Sequence, residues 1–149
     1  RRRRVFQPID TVKKNFEAWA DAVAGKKPYR FTNEQRIANA AYLSERLQGV
    51  ALPVVRPERR HVFHQYTIRV PGRRDALQEH LRERNIGTAV HYPLPIHHQP
   101  LYRSLGFEDV LPQAEAASQE VLSLPIHPAL QKSDLDRIVA GVNGFMVPE

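Results

Sequence analysis

The most specific stretch of this chain is residues 88–98, which read Thr88-Ala89-Val90-His91-Tyr92-Pro93-Leu94-Pro95-Ile96-His97-His98. The first part, residues 88–92, is predicted as a short strand. Pro93 and Pro95 lie two residues apart and lack the backbone N–H that a strand must donate to its neighbour. The strand is therefore expected to end there, and residues 91–98 are predicted to form an ordered loop stiffened by its prolines.

Alternating apolar residues predict another strand over residues 61–70. The residues expected on its inward face are Val62, His64, Tyr66, Ile68 and Val70. His64 is the only polar member of that set, which leaves two interpretations open. It is either a neutral core histidine satisfied by a hydrogen bond or a residue of a substrate pocket.

Three helices and one more strand follow from apolar spacing and turn signals. A helix is predicted over residues 74–84, with Asn85 as its left-handed C-terminal cap. A helix over residues 112–120 and a strand over residues 121–124 come next, and a capping box at Ser133 starts a last helix. From residue 61 the order is strand, helix, strand, helix, strand, helix. This order predicts an α+β fold, with a small antiparallel or mixed sheet and helices packed on one of its faces.

Two amphipathic helices are predicted ahead of this region, over residues 11–24 and 33–47, with a turn between them at residues 25–28. We therefore expect residues 1–35 to form a basic N-terminal leader with one amphipathic helix. Residues 36–149 would then form one small domain.

Charge is distributed unevenly along the 149 residues. Residues 1–60 carry 14 Lys or Arg against 6 Asp or Glu, whereas residues 61–149 carry 8 against 10. The run of four arginines at residues 1–4 is interpreted as a solvated tail, since no nucleic-acid-binding motif accompanies it.

The absence of cysteine excludes disulfides and zinc-thiolate sites and fits a cytoplasmic location. No apolar run is long enough to cross a bilayer and no signal peptide is recognised, so neither nucleic acid nor membrane is an expected partner.

Several ordered motifs from residue 61 onward resemble one known family. The most specific are residues 91–97, His91-Tyr92-Pro93-Leu94-Pro95-Ile96-His97, and residues 122–128, Leu122-Ser123-Leu124-Pro125-Ile126-His127-Pro128. Further matching stretches are residues 61–69, 74–77, 85–88 and 111–115. Over about residues 36–146 the chain resembles the C-terminal small domain of the DegT/DnrJ/EryC1/StrS family. Its members are aminotransferases that use pyridoxal phosphate (PLP) and act on nucleotide-linked keto-sugars.

This resemblance implies the C-terminal domain of the aspartate-aminotransferase fold type. In that family the PLP-binding lysine and the carboxylate paired with the pyridine nitrogen belong to a large N-terminal domain, to which nothing here corresponds. The lysines of this chain lie in no comparable context, namely Lys13, Lys14, Lys26, Lys27 and Lys132. We therefore expect no catalytic and no cofactor-binding residue, and a fragment that is inactive alone.

The complete enzyme would use PLP, a nucleotide-linked keto-sugar and an amino donor. Without the large domain, bared apolar surface should favour self-association. The alternative is a non-catalytic binding or assembly module that retains the small-domain fold.

Residues 6–39 weakly resemble a different family, at the C-terminal end of a Gfo/Idh/MocA-type oxidoreductase. The resemblance rests on an amphipathic helix followed by Gly25-Lys26-Lys27-Pro28. A deletion that fused two neighbouring genes would give such a chain, with its seam in the 33–47 helix. An unrelated or engineered leader is the alternative.

The candidate site residues are His91, Tyr92, His97 and His64, all interpreted as substrate-binding. A proline-stiffened loop holds side chains at a binding edge without regular structure, and the family resemblance places residues 91–97 beside the active-site mouth. No metal site is expected. His61 and His64 are three residues apart on a predicted strand, and His97 and His98 are adjacent, so each pair should diverge.

Overall fold

A computed structural model describes residues 17–28 and 32–147 of the chain, which divides into two compact units, residues 1–32 and 33–149. In the first unit, residues 17–23 are helical. Gly25 follows with a φ of +68°, a left-handed conformation that suits glycine at the end of a helix. The predicted helix over residues 11–24 is confirmed in this part, and its earlier residues lie outside the described ranges.

The second unit is a small α+β domain. Its α-helices are α1 (Asn33–Arg46), α2 (Arg74–Glu83), α3 (Pro100–Ser104), α4 (Pro112–Glu120) and α5 (Lys132–Met146). One turn of 3₁₀ helix lies at Ile96–His98. Its strands β1 (Tyr66–Arg69) and β2 (Val121–Leu124) pair antiparallel, with Tyr66 opposite Leu124. The fold class predicted from the sequence is confirmed in its antiparallel form.

Isolated bridges extend this sheet on both sides. Ala51 bridges to Arg69, and Ala89 bridges to Ser123. The second bridge brings the start of the proline-rich stretch beside β2, so the loop that follows leaves the sheet next to β2.

The core is built from the inward residues of both strands and from the apolar stripes of the helices that cover them. Its members include Leu43, Tyr66, Ile68, Leu77, Leu81, Leu122 and Val142, none of which retains exposed surface. Each side chain of this size stabilises the fold by about 1.5–3 kcal/mol on burial. Helix α5 packs against both α1 and α2 and thereby closes the core.

Gly141 marks a close approach within this packing. A Cβ atom at position 141 would lie 2.9 Å from Leu81 Cδ2 and 3.0 Å from Ile86 Cδ1. The missing side chain therefore lets α5 lie directly on α2 and on the turn after it. That turn begins at Asn85, whose φ of 57° confirms the predicted left-handed cap.

The strand predicted over residues 61–70 is shorter than expected, since only Tyr66–Arg69 pair as β1. Phe63 has a φ of 48°, a left-handed conformation in which the chain turns and strand alternation is lost. Val62 is consequently 41% exposed, and His64 is exposed as well. The prediction that His64 faces inward is therefore wrong.

Two other boundaries differ from the sequence prediction. The strand expected over residues 88–92 is reduced to the single bridge at Ala89. Helix α5 begins at Lys132, with Gln131 as its N-cap and a capping box closed by Asp134, so the box predicted at Ser133 is wrong. By contrast, the bounds of α4 and β2 match the predicted ranges.

Within residues 17–28 and 32–147, no helix has the length and apolarity that a membrane crossing requires.

Candidate functional site

A cleft of about 530 Å³ lies between the proline-rich loop and helix α4. Its lining comes from His91, Tyr92, Leu94, Pro95, Ile96, His97, Gln99, Tyr102, Phe107, Asp109, Leu111, Ala114, Ala117, Ser118 and Val121. Eight of these 15 side chains are apolar, and the other seven carry a polar group. A cleft of this size and composition is typical of small-molecule binding sites. Three of the four predicted site residues, His91, Tyr92 and His97, line it together.

His91 is anchored to the sheet by a hydroxyl chain. Its Nδ1 lies 3.3 Å from Ser123 Oγ, and Ser123 Oγ lies 2.9 Å from Thr67 Oγ1. Ser123 belongs to β2 and is buried, so this chain fixes the imidazole relative to a rigid element. The other ring nitrogen has no hydrogen-bond partner in the described part of the chain and remains available to a ligand.

Tyr92 is strongly exposed, with 74% of its surface accessible. Its ring meets the His91 ring edge-on, with centroids 5.7 Å apart. The peptide bond between the two residues is cis. A phenol placed in this way offers both a donor and an acceptor at the edge of the cleft.

His97 and His98 lie close to one carboxylate. His97 Nε2 is 3.1 Å and His98 Nε2 is 3.7 Å from Glu115 Oε1, and the two imidazole centroids are 4.2 Å apart. The expectation that these adjacent histidines diverge is wrong, because Ile96–His98 forms a 3₁₀ turn and not an extended segment. The turn and α4 are thus tied together beside the cleft, which His97 lines.

Glu115 is a site residue that sequence reasoning missed. Its Oε1 also accepts a hydrogen bond of 3.0 Å from the Leu111 backbone N–H. That bond, followed by the one with His97, holds the pKa of the Glu115 carboxyl below its usual range. The carboxylate therefore stays charged at neutral pH. A sequence signal did exist, since an acidic residue in the first turn of a helix favours backbone N–H donors.

Seven apolar side chains between residues 94 and 111 remain exposed, and four of them line the cleft. They are Leu94, Ile96, Leu101, Leu105, Phe107, Val110 and Leu111. Tyr102 and Phe107 form an edge-to-face pair inside the cleft, with ring centroids 5.8 Å apart. An exposed apolar surface of this extent is typical of an interaction site.

His64 does not belong to this cleft. It is exposed and is not among the cleft-lining residues. The structure therefore brings together three of the four predicted residues and separates the fourth.

Comparison with known proteins gives the family. The model of the DegT/DnrJ/EryC1/StrS aminotransferase family matches residues 27–143. The chain therefore belongs to this family. The match begins earlier than the residue 36 expected from the sequence, so it includes residues 27–39, part of the segment compared with the oxidoreductase family.

Two curated relatives illustrate the similarity. A pleiotropic regulatory protein of Geobacillus stearothermophilus is 45% identical over 121 residues, covering 78% of this chain and 32% of the relative. The dTDP-3-amino-3,4,6-trideoxy-alpha-D-glucose transaminase of Streptomyces venezuelae is 43% identical over 114 residues, covering 74% of this chain and 30% of that enzyme. The chain thus spans about a third of the length of these relatives and corresponds to a C-terminal part of them.

Solved structures agree with this placement. The domain superposes on S. venezuelae DesV in complex with a ketimine intermediate with a TM-score of 0.72 and 40% identity, covering 78% of this chain and 32% of DesV. It superposes on NtdA from Bacillus subtilis with bound cofactor PMP with a TM-score of 0.69 and 27% identity, covering 76% and 28% of the two chains. The similarity to DesV extends from sequence to fold.

Proposed function

We propose that this chain is the C-terminal small domain of a PLP-dependent aminotransferase that acts on nucleotide-linked keto-sugars, and that it is inactive alone. The observation that carries the proposal is the cleft, which places the family motif at residues 91–97 on one wall of a ligand-sized space. Relatives named as dTDP-sugar transaminases support the substrate class. We place this domain at residues 36–149 and a separate basic segment at residues 1–35.

The described lysines do not fit a PLP site. A Schiff-base lysine needs a lowered pKa so that its neutral amine can attack a carbonyl. The Lys132 ammonium is 75% exposed and lies 2.9 Å from Asp136 Oδ2, and this contact, followed by one with Tyr42, raises its pKa. Lys26 is also exposed, 3.8 Å from Asp21, and Lys27 is exposed.

What the cleft supplies instead is substrate positioning. His91 and Tyr92 offer an imidazole and a phenol to a ligand, and both groups hydrogen-bond sugar hydroxyls as donors or acceptors. His97 is buried and bonded to Glu115, so it acts as a positioning residue that holds the loop against α4. His64 stays outside this proposal because it does not line the cleft.

A non-catalytic binding or assembly module is the second candidate. It is favoured by the exposed apolar side chains between residues 94 and 111, which give the domain a surface for a partner. Neighbouring DNA distinguishes the two candidates. If the flanking sequence encodes a large domain with a Schiff-base lysine, the aminotransferase-fragment proposal holds, and if it encodes none, the module is favoured.

Absorbance of the chain with PLP tests the predicted inactivity. After incubation with PLP and dialysis, we expect no visible aldimine band, because imines on exposed lysines reverse as free PLP is removed. A complete sugar aminotransferase treated in parallel should retain its band. A dialysis-resistant band on this chain that disappears in Lys132→Ala, or in another single lysine variant, would overturn the proposal.

A further inference from the structure

We propose that His97, His98 and Glu115 form a Zn²⁺ site between the 3₁₀ turn and α4. No activity or binding role described above depends on such an ion. The three residues are a group whose ligating atoms all lie within 4.8 Å of one another. Two imidazole nitrogens and one carboxylate oxygen are a ligand set that zinc accepts, usually with water in the fourth position.

The distances fit a tetrahedral ion. Zinc bonds to nitrogen and oxygen are about 2.0–2.2 Å long, so two ligands of a tetrahedral ion lie about 3.3 Å apart. The observed separations from Glu115 Oε1 are 3.1 Å to His97 Nε2 and 3.7 Å to His98 Nε2, on either side of that value. The third pair of ligand atoms, on His97 and His98, lies within 4.8 Å, so side-chain rotations that shorten this distance bring all three atoms around one ion.

Burial favours both stability and access. The His97 side chain is 8% exposed, and those of His98 and Glu115 are 31% and 28% exposed. One ligand is therefore held by the protein, while the other two leave a path from solvent. The Leu111 N–H bond to Glu115 supplies an outer-shell contact of the kind that orients metal ligands.

Charge also favours a cation at this position. A carboxylate beside two imidazoles attracts a divalent ion once each Nε2 presents its lone pair, with the ring proton carried on Nδ1. Because His97 also lines the cleft, the ion would fasten the loop wall of the cleft to α4. It would have only three protein ligands and one open position.

Isothermal titration calorimetry of the full 149-residue chain with ZnCl₂ tests this site. We expect one ion per chain at the strongest site, removed by EDTA. Glu115→Gln keeps an acceptor for the Leu111 N–H but removes the charge, and His98→Ala removes an exposed ligand without touching the core. Each variant should weaken zinc binding by at least about tenfold. His64→Ala removes an exposed imidazole outside the cluster and should leave the affinity unchanged.

Cobalt supplies an independent readout. Co²⁺ in a tetrahedral site gives visible absorption that an octahedral aqua ion lacks at comparable strength, and the signal should disappear in His98→Ala. Circular dichroism of each variant checks that it remains folded. Failure of the wild-type chain to bind zinc, or equal affinity in wild type, His98→Ala and Glu115→Gln, would overturn the proposal and leave the cluster as a hydrogen-bonded brace.

Discussion

The packing of α5 on α2 should show itself as a coupling between positions 81 and 141. Gly141→Ala would place a Cβ 2.9 Å from Leu81 Cδ2 and 3.0 Å from Ile86 Cδ1. Overpacking of this kind costs about 1–3 kcal/mol, while alanine favours a helix interior over glycine by about 1 kcal/mol. The substitution should therefore lower the free energy of unfolding by roughly 0–2 kcal/mol.

The same substitution should be less destabilising when Leu81 is shortened. Leu81→Ala removes the nearest contact and itself costs about 2.7–5.0 kcal/mol, because Leu81 is fully buried. In that background the Leu81 contact is gone while the Ile86 Cδ1 contact at 3.0 Å remains, so Gly141→Ala should be less destabilising than in the wild type and at most stabilise by about 1 kcal/mol. The coupling between the two sites is the part of the overpacking cost that Leu81 causes, and it is at most about 3 kcal/mol.

A double-mutant cycle measures this coupling. Urea unfolding is monitored by circular dichroism for the wild type, the two single variants and the double variant. Gly144→Ala is the matched control, since a Cβ at position 144 meets nothing within 4 Å, and it should have the same effect in both backgrounds. If Gly141→Ala changes stability equally in the wild-type and the Leu81→Ala backgrounds, within about 0.5 kcal/mol, the close packing of α5 on α2 is refuted. If Leu81→Ala does not fold, Leu81→Val gives the same comparison at lower cost.

Three further outcomes are expected. Burial raises the pKa of the Tyr66 phenol. The stability that the buried, protonated phenol contributes is therefore complete below the ordinary pKa of 10.0 and is lost as pH rises beyond it. Urea unfolding between pH 9 and pH 11 should therefore show a steeper decline in wild type than in Tyr66→Phe. Arg60→Met should change stability by less than about 1 kcal/mol, because its ion pair with Glu34 is exposed on both sides, and a larger loss in the same assay would contradict that. Sedimentation should show a dimer or larger species, and Leu105→Lys should weaken this self-association. A wild-type monomer at all concentrations would contradict self-association through the exposed apolar side chains.

Local signals in the sequence were sufficient to predict the bounds of an element where residues at its two ends favour a start and an end. Pro112 opens α4 at its first turn, and Pro125 ends β2, so both elements were predicted with the observed bounds. Asn85 ended α2 as expected. The prediction of a strand before Tyr66 was wrong, because an alternating apolar pattern gives no sign that Phe63 adopts a left-handed conformation.

The candidate site depended on contacts that the sequence separates. The loop that carries His91, Tyr92 and His97 was recognised from its prolines and from the family motif. Glu115 lies 18 residues beyond His97, and its place beneath the loop follows only from how α4 docks. The 3₁₀ turn that brings His98 to the same carboxylate is a tertiary outcome, since two adjacent histidines carry no periodicity.

A chimeric enzyme gives the most direct test of the proposed role of the cleft. Residues 33–147 would replace the corresponding segment of the S. venezuelae dTDP-3-amino-3,4,6-trideoxy-alpha-D-glucose transaminase, and kcat and KM would be measured for the chimera and for its His91→Ala and Tyr92→Phe variants. We expect an active chimera in which each variant raises KM about two- to tenfold with kcat little changed, since a lost neutral hydrogen bond is worth about 0.5–1.5 kcal/mol. A folded chimera whose kcat collapses in these variants at unchanged KM would contradict the assignment of His91 and Tyr92 to substrate positioning.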